Sequence, residues 1–403
     1  MAGLPNAEVG TLALLAPLAE SRRRVVRHEA GTYPQIAGEF WTARQRQMNS
    51  LHYAISYRGS FKPELPAFFI ERFSKPGDIV FDPFSGRGTT VLQAVLSDRL
   101  GWGNDVNPLS ELITRAKVCP ATLEQVRDYL ADVDFDDPGS GPDAEDLGMF
   151  YHPDTLVELM ALRRHVHVNL TATGRFVALI ALSRLHGHSP GFLSVYSFPQ
   201  ISVTREAQRR INERRGQRPE YRDVRSRIIR KAQRALRDCD PKQIRQRGRH
   251  CLLTQEDSRD MSDIPSGAVD LIVTSPPFLN KVDYILDNWL EMWFLRMEPD
   301  EMEGSVVQTS EMAEWQEFIL GSLREMRRVL RPGGTCVVEV GDVLHNSDEV
   351  NLDEVIVELA ADADLSVQAV MVQVQEFTKL AHCFRVRNNE KGTNTNRCVV
   401  LRR

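Results

Sequence analysis

The sequence predicts an α/β protein with a mostly parallel sheet, interrupted by a largely helical insertion. Three observations lead there. Strand-like and helix-like runs alternate from residue 78 to residue 117, and the same rhythm resumes at Cys251. Between them lies a mostly helical stretch rich in arginine.

Taken in order, Asp78 to Phe81 reads as a strand, Thr89 to Leu100 as a helix, Gly101 to Val106 as a strand and Leu109 to Lys117 as a helix. The acidic, Gly/Pro-containing stretch from Asp132 to Asp146 reads as a loop or linker. Helices are expected over Leu156 to Val168, Arg175 to Leu185, Arg205 to Arg215 and Tyr221 to Arg237. The turn formers and aromatics of Gly187 to Pro199 suggest an ordered loop among them. Then come a strand near Leu252, a strand over Ala268 to Val273, and helices over Tyr284 to Arg296 and Met312 to Leu330. Arg331-Pro-Gly-Gly334 is expected to stop the last helix before a strand over Thr335 to Val340. A helix over Leu352 to Ala361 and strands over Ser366 to Gln375 and Cys398 to Arg402 follow. The expected divisions are an N-terminal extension (1–50), a first core half (51–118), a helical basic insertion (119–250) and a second core half (251–403).

With 403 residues, 42% hydrophobic and 26% charged, the composition is that of a soluble globular protein rather than a disordered one. No apolar run approaches the roughly 20 residues of a membrane span. The short Leu12 to Ala19 stretch precedes its arginines, the reverse of a secretory signal, so a cytoplasmic protein is expected. Cys119, Cys239, Cys251, Cys336, Cys383 and Cys398 are scattered without a C-x-x-C pair, which argues against zinc and against a disulfide framework. No metal is expected. The net charge of −5 conceals a polarity: Arg205 to His250 carries 17 Lys and Arg against 6 Asp and Glu, a net +11, which leaves −16 elsewhere. Such a segment is either a polyanion-binding surface or a solvated helical face.

Two strand ends carry motifs. In Asp82-Pro-Phe-Ser-Gly-Arg-Gly-Thr-Thr90, Gly86 and Gly88 permit a tight turn and a close backbone approach to a ligand. Thr89 and Thr90 place hydroxyls and N–H groups at a helix N-terminus, which favours an anion. A dinucleotide-binding loop would want G-x-G-x-x-G, which is absent. The second motif is Thr274-Ser-Pro-Pro-Phe278. Together the two strings resemble the cofactor and catalytic loops of the DNA N4-cytosine and N6-adenine amino-methyltransferase superfamily, nearest its N4-cytosine type.

That resemblance implies a Rossmann-like, S-adenosylmethionine-dependent methyltransferase fold. It implies that Phe84 lines the cofactor pocket, that Gly86 and Gly88 leave it room, and that Asp82 organises the loop and reaches the methionine amine. Asp105, in Gly103-Asn-Asp-Val-Asn-Pro108, matches the family's ribose-holding acid, as a carboxylate can accept two hydroxyl protons in parallel. Asp257 sits where the family contacts the adenine amine, with a capping role as the alternative. Ser60, Phe61 and Lys62 fall in an element that closes over the methionine end.

The resemblance also makes Ser275, Pro276, Pro277 and Phe278 the catalytic quartet. An exocyclic base amine is a poor nucleophile because its lone pair is delocalised. The Ser275 hydroxyl and the Pro276 carbonyl would accept its two hydrogens and aim the lone pair at the methyl. The prolines stiffen the loop, and Phe278 would stack on the extruded base. In the family, Ser at the first position is typical of cytosine N4 enzymes, and Asp or Asn of adenine N6 enzymes. Carbon-5 methylation would need a thiolate and the family's Pro-Cys dipeptide, which is absent.

Trp289 and Trp293 read as core or as flanks of the base pocket, and Arg387 to Arg397 as a late loop touching either DNA or the cofactor pocket. The insertion is expected to read the target, with Arg209, Arg210, Arg214, Arg215, Arg225 and Arg230 on phosphates and the Gly187 to Pro199 loop near bases. The expected function is site-specific methylation of cytosine N4 in DNA. Adenine N6 methylation, an RNA amino-methyltransferase and a non-catalytic nucleic-acid-binding subunit are the alternatives. The partners such a protein admits are DNA, a second copy of the chain as a homodimer, and a restriction or defence protein, with no membrane.

Overall fold

A computed structural model describes residues 22–28, 31–41, 48–57, 59–137, 147–199, 201–277, 285–298, 309, 311–345, 348–373 and 396–403. The chain opens with an antiparallel pair, β1 (Arg22–His28) and β2 (Gly31–Gly38). The strands β3 (Ile79–Asp82), β4 (Leu100–Asn104), β5 (Leu253–Thr254), β6 (Val269–Thr274) and β7 (Leu330–Val340) run parallel. A separate antiparallel pair, β8 (Asp342–His345) and β9 (Asp348–Asn351), precedes β10 (Ser366–Gln373) and β11 (Asn396–Arg402). The main sheet has the order β1-β2-β10-β11-β7-β6-β3-β4-β5, with β11 antiparallel to both its neighbours. Because β2 pairs in parallel with β10, the segment expected as an extension supplies two strands to the sheet.

Alternation along the strands sends side chains to two cores. Phe81, Ile272 and Val338 face one cluster, and Val80, Leu271, Val273 and Val337 face the other. The second is filled by α1 (Glu64–Phe73), whose Phe68, Phe69 and Ile70 are buried. Burial on both faces explains why β6 is almost wholly apolar.

The other helices are α2 (Thr89–Leu96), α3 (Pro108–Val118), α4 (Leu123–Ala131), α5 (Pro153–Val168), α6 (Ala172–Leu182), α7 (Arg205–Arg215), α8 (Val224–Ala235), α9 (Pro241–Gly248), α10 (Trp289–Leu295), α11 (Met312–Val329) and α12 (Leu352–Asp362). The helix expected to reach Leu100 ends at Leu96, because Asp98 takes a positive φ of 63° and Leu100 already bonds to the Asp78 carbonyl as the start of β4. Arg331-Pro-Gly-Gly334 lies within β7 instead of before it. The pairing slips between Val269 and Leu271, and Gly333, at φ 72°, absorbs the bulge.

α4 to α9 are not a tethered lobe. One hydrophobic cluster joins Val91 and Leu92 of α2 and Ile113 of α3 to Val126, Leu159, Leu179, Ile228 and Ile244 of the insertion. The contact is close enough that a Cβ on Gly248 of α9 would fall 1.8 Å from the Val118 carbonyl oxygen of α3. No helix among the described residues is long and apolar enough to cross a membrane.

Candidate cofactor cleft and catalytic loop

From β3 the chain builds outward through β4 and β5, then crosses back to lay β6 and β7 on the other side. This reversal opens a crevice at the carboxyl ends of β3 and β6, where open α/β sheets bind ligands. A solvent-open cleft lies there, walled by the loops that follow four of the parallel strands. Phe84, Gly86 and Thr89 line it after β3, Asp105 after β4, Glu256 and Asp257 after β5, and Ser275 and Pro277 after β6.

Asp105 ties the first two loops together: Gly86 N–H donates to its Oδ2 at 2.7 Å and Asn107 N–H to its Oδ1 at 3.0 Å. Asn107 in turn caps α3 by accepting the Leu109 N–H. Each Asp105 oxygen keeps a lone pair for a ligand hydroxyl. Burial pushes its carboxyl pKa up, and the Asn107 and Gly86 N–H groups draw it back.

Several residues expected on the cleft wall stand behind it. Asp82 is 1% exposed; its Oδ1 accepts the Thr274 hydroxyl at 2.6 Å and the Phe84 N–H at 3.2 Å, so it fastens β3 to β6. Burial drives its pKa up to about 7, against the lowering effect of these donors. Thr90 is fully buried and donates to the Val273 carbonyl. Gly88 serves packing: at φ 70° it starts α2, and a Cβ there would meet Thr114 Oγ1 at 2.4 Å. Lys62 and Pro276 are also absent from the wall, whereas Ser60 and Phe61 belong to it. Arg87 pins Phe61 by donating to its carbonyl, and the buried Lys117 Nζ donates to the Arg87 carbonyl at 2.7 Å.

Asp257 is both wall and cap. It accepts the Arg259 backbone N–H at 2.8 Å and the Arg259 guanidinium at 2.6 Å, and these bonds hold its pKa below the ordinary carboxylate value.

At the catalytic loop, the Ser275 hydroxyl is buried with no hydrogen-bond partner. Pro277 is anchored, its carbonyl accepting the Trp315 Nε1–H at 2.9 Å. Phe278 lies outside the described residues, as does most of the Arg387 to Arg397 stretch. Sequence reasoning missed Phe318 and Glu339, and it had Tyr57 only as the start of the element that closes over the methionine end. Tyr57 and Phe318 line the cleft, and the Phe318 ring meets that of Phe84 at 5.8 Å between centroids. Glu339, 3% exposed, stands beside Ser275 and accepts the Asn396 amide at 2.5 Å. Burial raises its pKa, and the nearby Ser275 hydroxyl and Asn396 amide lower it in part. A lone acid in the apolar strand Cys336 to Val340 was the available signal. Phe318 had none, since one aromatic on an amphipathic helix reads as core.

The six expected phosphate-binding arginines are all exposed: Arg209, Arg210, Arg214 and Arg215 on α7, and Arg225 and Arg230 on α8. Arg215 stacks on Tyr196 and Arg225 on Phe135, so these two also serve packing. Trp289 and Trp293 are partly buried against the insertion's core, with the Trp289 indole donating to the Val203 carbonyl. Among the described residues, no three His, Cys, Asp or Glu side chains are grouped to hold a metal ion.

A parallel sheet with its cleft at the reversal, a carboxylate after β4 and Ser-Pro-Pro after β6 together make the architecture of the nucleoside-cofactor methyltransferase class. The chain belongs to the N6/N4 methyltransferase family, described as DNA methylase, whose model matches residues 18–109 and 269–399. It is 31% identical over 90 residues to the Type II methyltransferase M.MjaII of Methanocaldococcus jannaschii, covering 22% of this chain and 16% of that one. It is 22% identical over 282 residues to the Type II methyltransferase M.BsoBI of Geobacillus stearothermophilus, covering 61% and 53%. The chain thus spans at most about half the length of these two relatives.

Among solved structures, TrmN from Thermus thermophilus is 12% identical, with a TM-score of 0.34 over 98% of this chain and 65% of that one. A candidate DNA modification methylase of the same organism, complexed with S-adenosyl-L-methionine, is 19% identical, with a TM-score of 0.23 over 36% and 53%. These likenesses are too weak to carry the fold, which rests on the sheet order itself. S-adenosylmethionine is the family's methyl donor, and the residues fit it: a carboxylate with spare lone pairs, an aromatic pair and an unpaired hydroxyl share one cleft.

Proposed function

We propose that the protein methylates the exocyclic N4 amine of cytosine in DNA. The observation that carries this reading is Ser275: an unpartnered hydroxyl on the cofactor cleft, held at the end of β6 by two prolines and the Trp315 tether. In the resembling family, serine at this place is typical of cytosine N4 enzymes.

When bound, S-adenosylmethionine supplies an electrophilic methyl group on a sulfonium. Asp105 would hold its ribose, Phe84 and Phe318 its adenine, and Asp257, already fixed by Arg259, would offer a remaining lone pair to the adenine amine. The target base must leave its stack to enter, at a cost of a few kcal/mol. Ser275 Oγ and the Pro276 carbonyl, between the two wall residues Ser275 and Pro277, would accept the two amine hydrogens, pulling the nitrogen out of conjugation and freeing its lone pair. A methylated nitrogen would carry one proton too many. Ser275 can pass it toward Glu339, whose burial raises its affinity for a proton.

The test is mass spectrometry of nucleosides from DNA and RNA of cells expressing the full chain, beside a Ser275→Ala, Pro276→Ala variant. N4-methylcytosine in DNA that vanishes in the variant is the expected result. N6-methyladenine would overturn the reading of Ser275, and a mark confined to RNA would overturn the substrate.

A further inference from the structure

β5 is two residues long and stands at the edge of the sheet, where it meets β4 in the register pairs Gly103 with Leu253 and Asn104 with Thr254. The loop that leaves it carries Glu256 and Asp257 to the cofactor cleft. Asp105 N–H donates to the Thr254 carbonyl at 3.2 Å, and beyond it a side chain takes over from the backbone. The Asn104 amide supplies the next rung: its Oδ1 accepts the Glu256 N–H at 2.9 Å, and its Nδ2 donates to the Glu256 carbonyl at 2.9 Å. Oδ1 also accepts the Thr254 hydroxyl at 2.8 Å, and Nδ2 donates to the Pro83 carbonyl at 3.4 Å.

An asparagine amide has two acceptor lone pairs and two N–H donors. All four are used here, and the residue is 1% exposed, so its side chain has nothing left to offer a ligand although it stands on the cleft wall. Its main chain adds a further tie, the Asn104 carbonyl accepting the Ser85 N–H at 2.9 Å. One residue therefore joins the loops that follow β3, β4 and β5. Its chain neighbour is Asp105, and the residue it grips is the chain neighbour of Asp257.

We propose that Asn104 is a positioning residue for the cofactor, setting Asp257 against Asp105 so that one nucleoside reaches both acids. The inference rests on the proposed contacts of Asp105 with the ribose and of Asp257 with the adenine amine. The loop after β5 is otherwise braced from within. Arg259 fixes the Asp257 carboxylate, and the Glu256 carboxylate accepts the Ser262 hydroxyl at 2.9 Å and the Asp263 N–H at 3.1 Å. These bonds orient Asp257 on its loop but do not place the loop against β4. Farther along, Ser258 meets the Ser322 hydroxyl of α11 at 2.9 Å. Without the Asn104 amide, the Glu256 N–H and carbonyl and the Thr254 hydroxyl lose their partner, and the loop is free to turn about its α11 end, carrying Asp257 with it.

The experiment titrates the full chain, in a calorimeter, with S-adenosylhomocysteine and with S-inosylhomocysteine, whose base carries an oxygen in place of the amine. The wild type should bind the adenosyl form roughly ten- to hundred-fold tighter, because the inosyl form turns an acceptor toward the Asp257 carboxylate. Asn104→Ala should weaken the adenosyl form and bring the two ligands within about three-fold of each other. Asp257→Ala should do the same, and the double variant should discriminate no worse than either single one, since the two residues act as a unit. Thr254→Val removes the hydroxyl on Asn104 Oδ1 at nearly unchanged shape. It should lose part of the discrimination, and it carries the test should Asn104→Ala fail to fold. Equal weakening of both ligands by these variants, with discrimination retained, overturns the proposal and makes Asn104 a purely structural residue. Discrimination kept by Asp257→Ala, or absent from the wild type, overturns the adenine contact and this inference with it, leaving the choice of target base untouched.

Discussion

Asp82 is the residue whose surroundings most change its chemistry. Its folded pKa of about 7 lies above the ordinary aspartate value because burial outweighs the Thr274 and Phe84 bonds. Between about pH 4 and pH 7 the folded protein holds a proton that the unfolded chain has released, so this residue makes stability fall as pH rises through that window. Both hydrogen bonds end on Oδ1, which asparagine retains. Asp82→Asn should therefore flatten the pH dependence and raise stability above pH 7 by up to about 4 kcal/mol, as read from urea unfolding at several pH values. An unchanged slope would mean that Asp82 ionises freely in the folded state. Glu339 calls for a different readout, because its proposed part concerns a proton and not the cofactor. Glu339→Gln keeps an acceptor for the Asn396 amide and loses the base. Turnover should drop about a hundred-fold or more with S-adenosylmethionine affinity unchanged, and loss of cofactor binding instead would give Glu339 a structural role.

The join of β3, α2 and β4 depends on glycines for two different reasons. Gly86 faces the cleft, whereas Gly88 lets α2 approach Thr114 of α3. Gly88→Ala adds a methyl where φ is 70° and Thr114 atoms stand within 2.8 Å, so a loss of about 2–4 kcal/mol is expected. Thr114→Ala removes the clash but not the strain. Its own hydroxyl is unpartnered, so it should cost little alone and restore part of the loss in the double variant. Thermal melts of the four proteins decide this; additive losses would show that the conformation of Gly88, not its neighbour, sets the cost. The same join shows what was legible beforehand. A strand, a glycine turn and a helix start are local events, and Asp105 could be placed from sequence. Which glycine faces the ligand, and that Asp82 looks sideways to Thr274, depend on residues far along the chain. β1 and β2 were missed for a related reason: what makes them strands is the edge offered by β10.

At the scale of the whole molecule, the +11 segment does two jobs that sequence could not separate. Several cations are committed to internal contacts: Arg222 donates to the Phe192 carbonyl and Arg245 to that of Pro120 within the insertion, while Lys231 reaches the Tyr53 carbonyl and Arg247 pairs with Asp98 in the first core half. These are cross-links within one fold. Arg209, Arg210 and Arg214 instead stand exposed on α7, where an ion pair such as Arg209 with Glu206 at 3.7 Å is worth little. Polyanion binding should therefore depend on the second group and stability on the first. Arg209→Ala with Arg210→Ala is expected to weaken DNA binding about equally for all sequences and to flatten the plot of log affinity against log salt by about two units of slope. The melting temperature should stay unchanged. Arg245→Ala should do the reverse, lowering the melting temperature while leaving the slope alone, since its guanidinium is committed to Pro120 and Gln125. Titrations at four salt concentrations separate the cases. A slope that survives loss of both α7 arginines would move the phosphate contacts off this helix and leave the basic segment as a structural clamp.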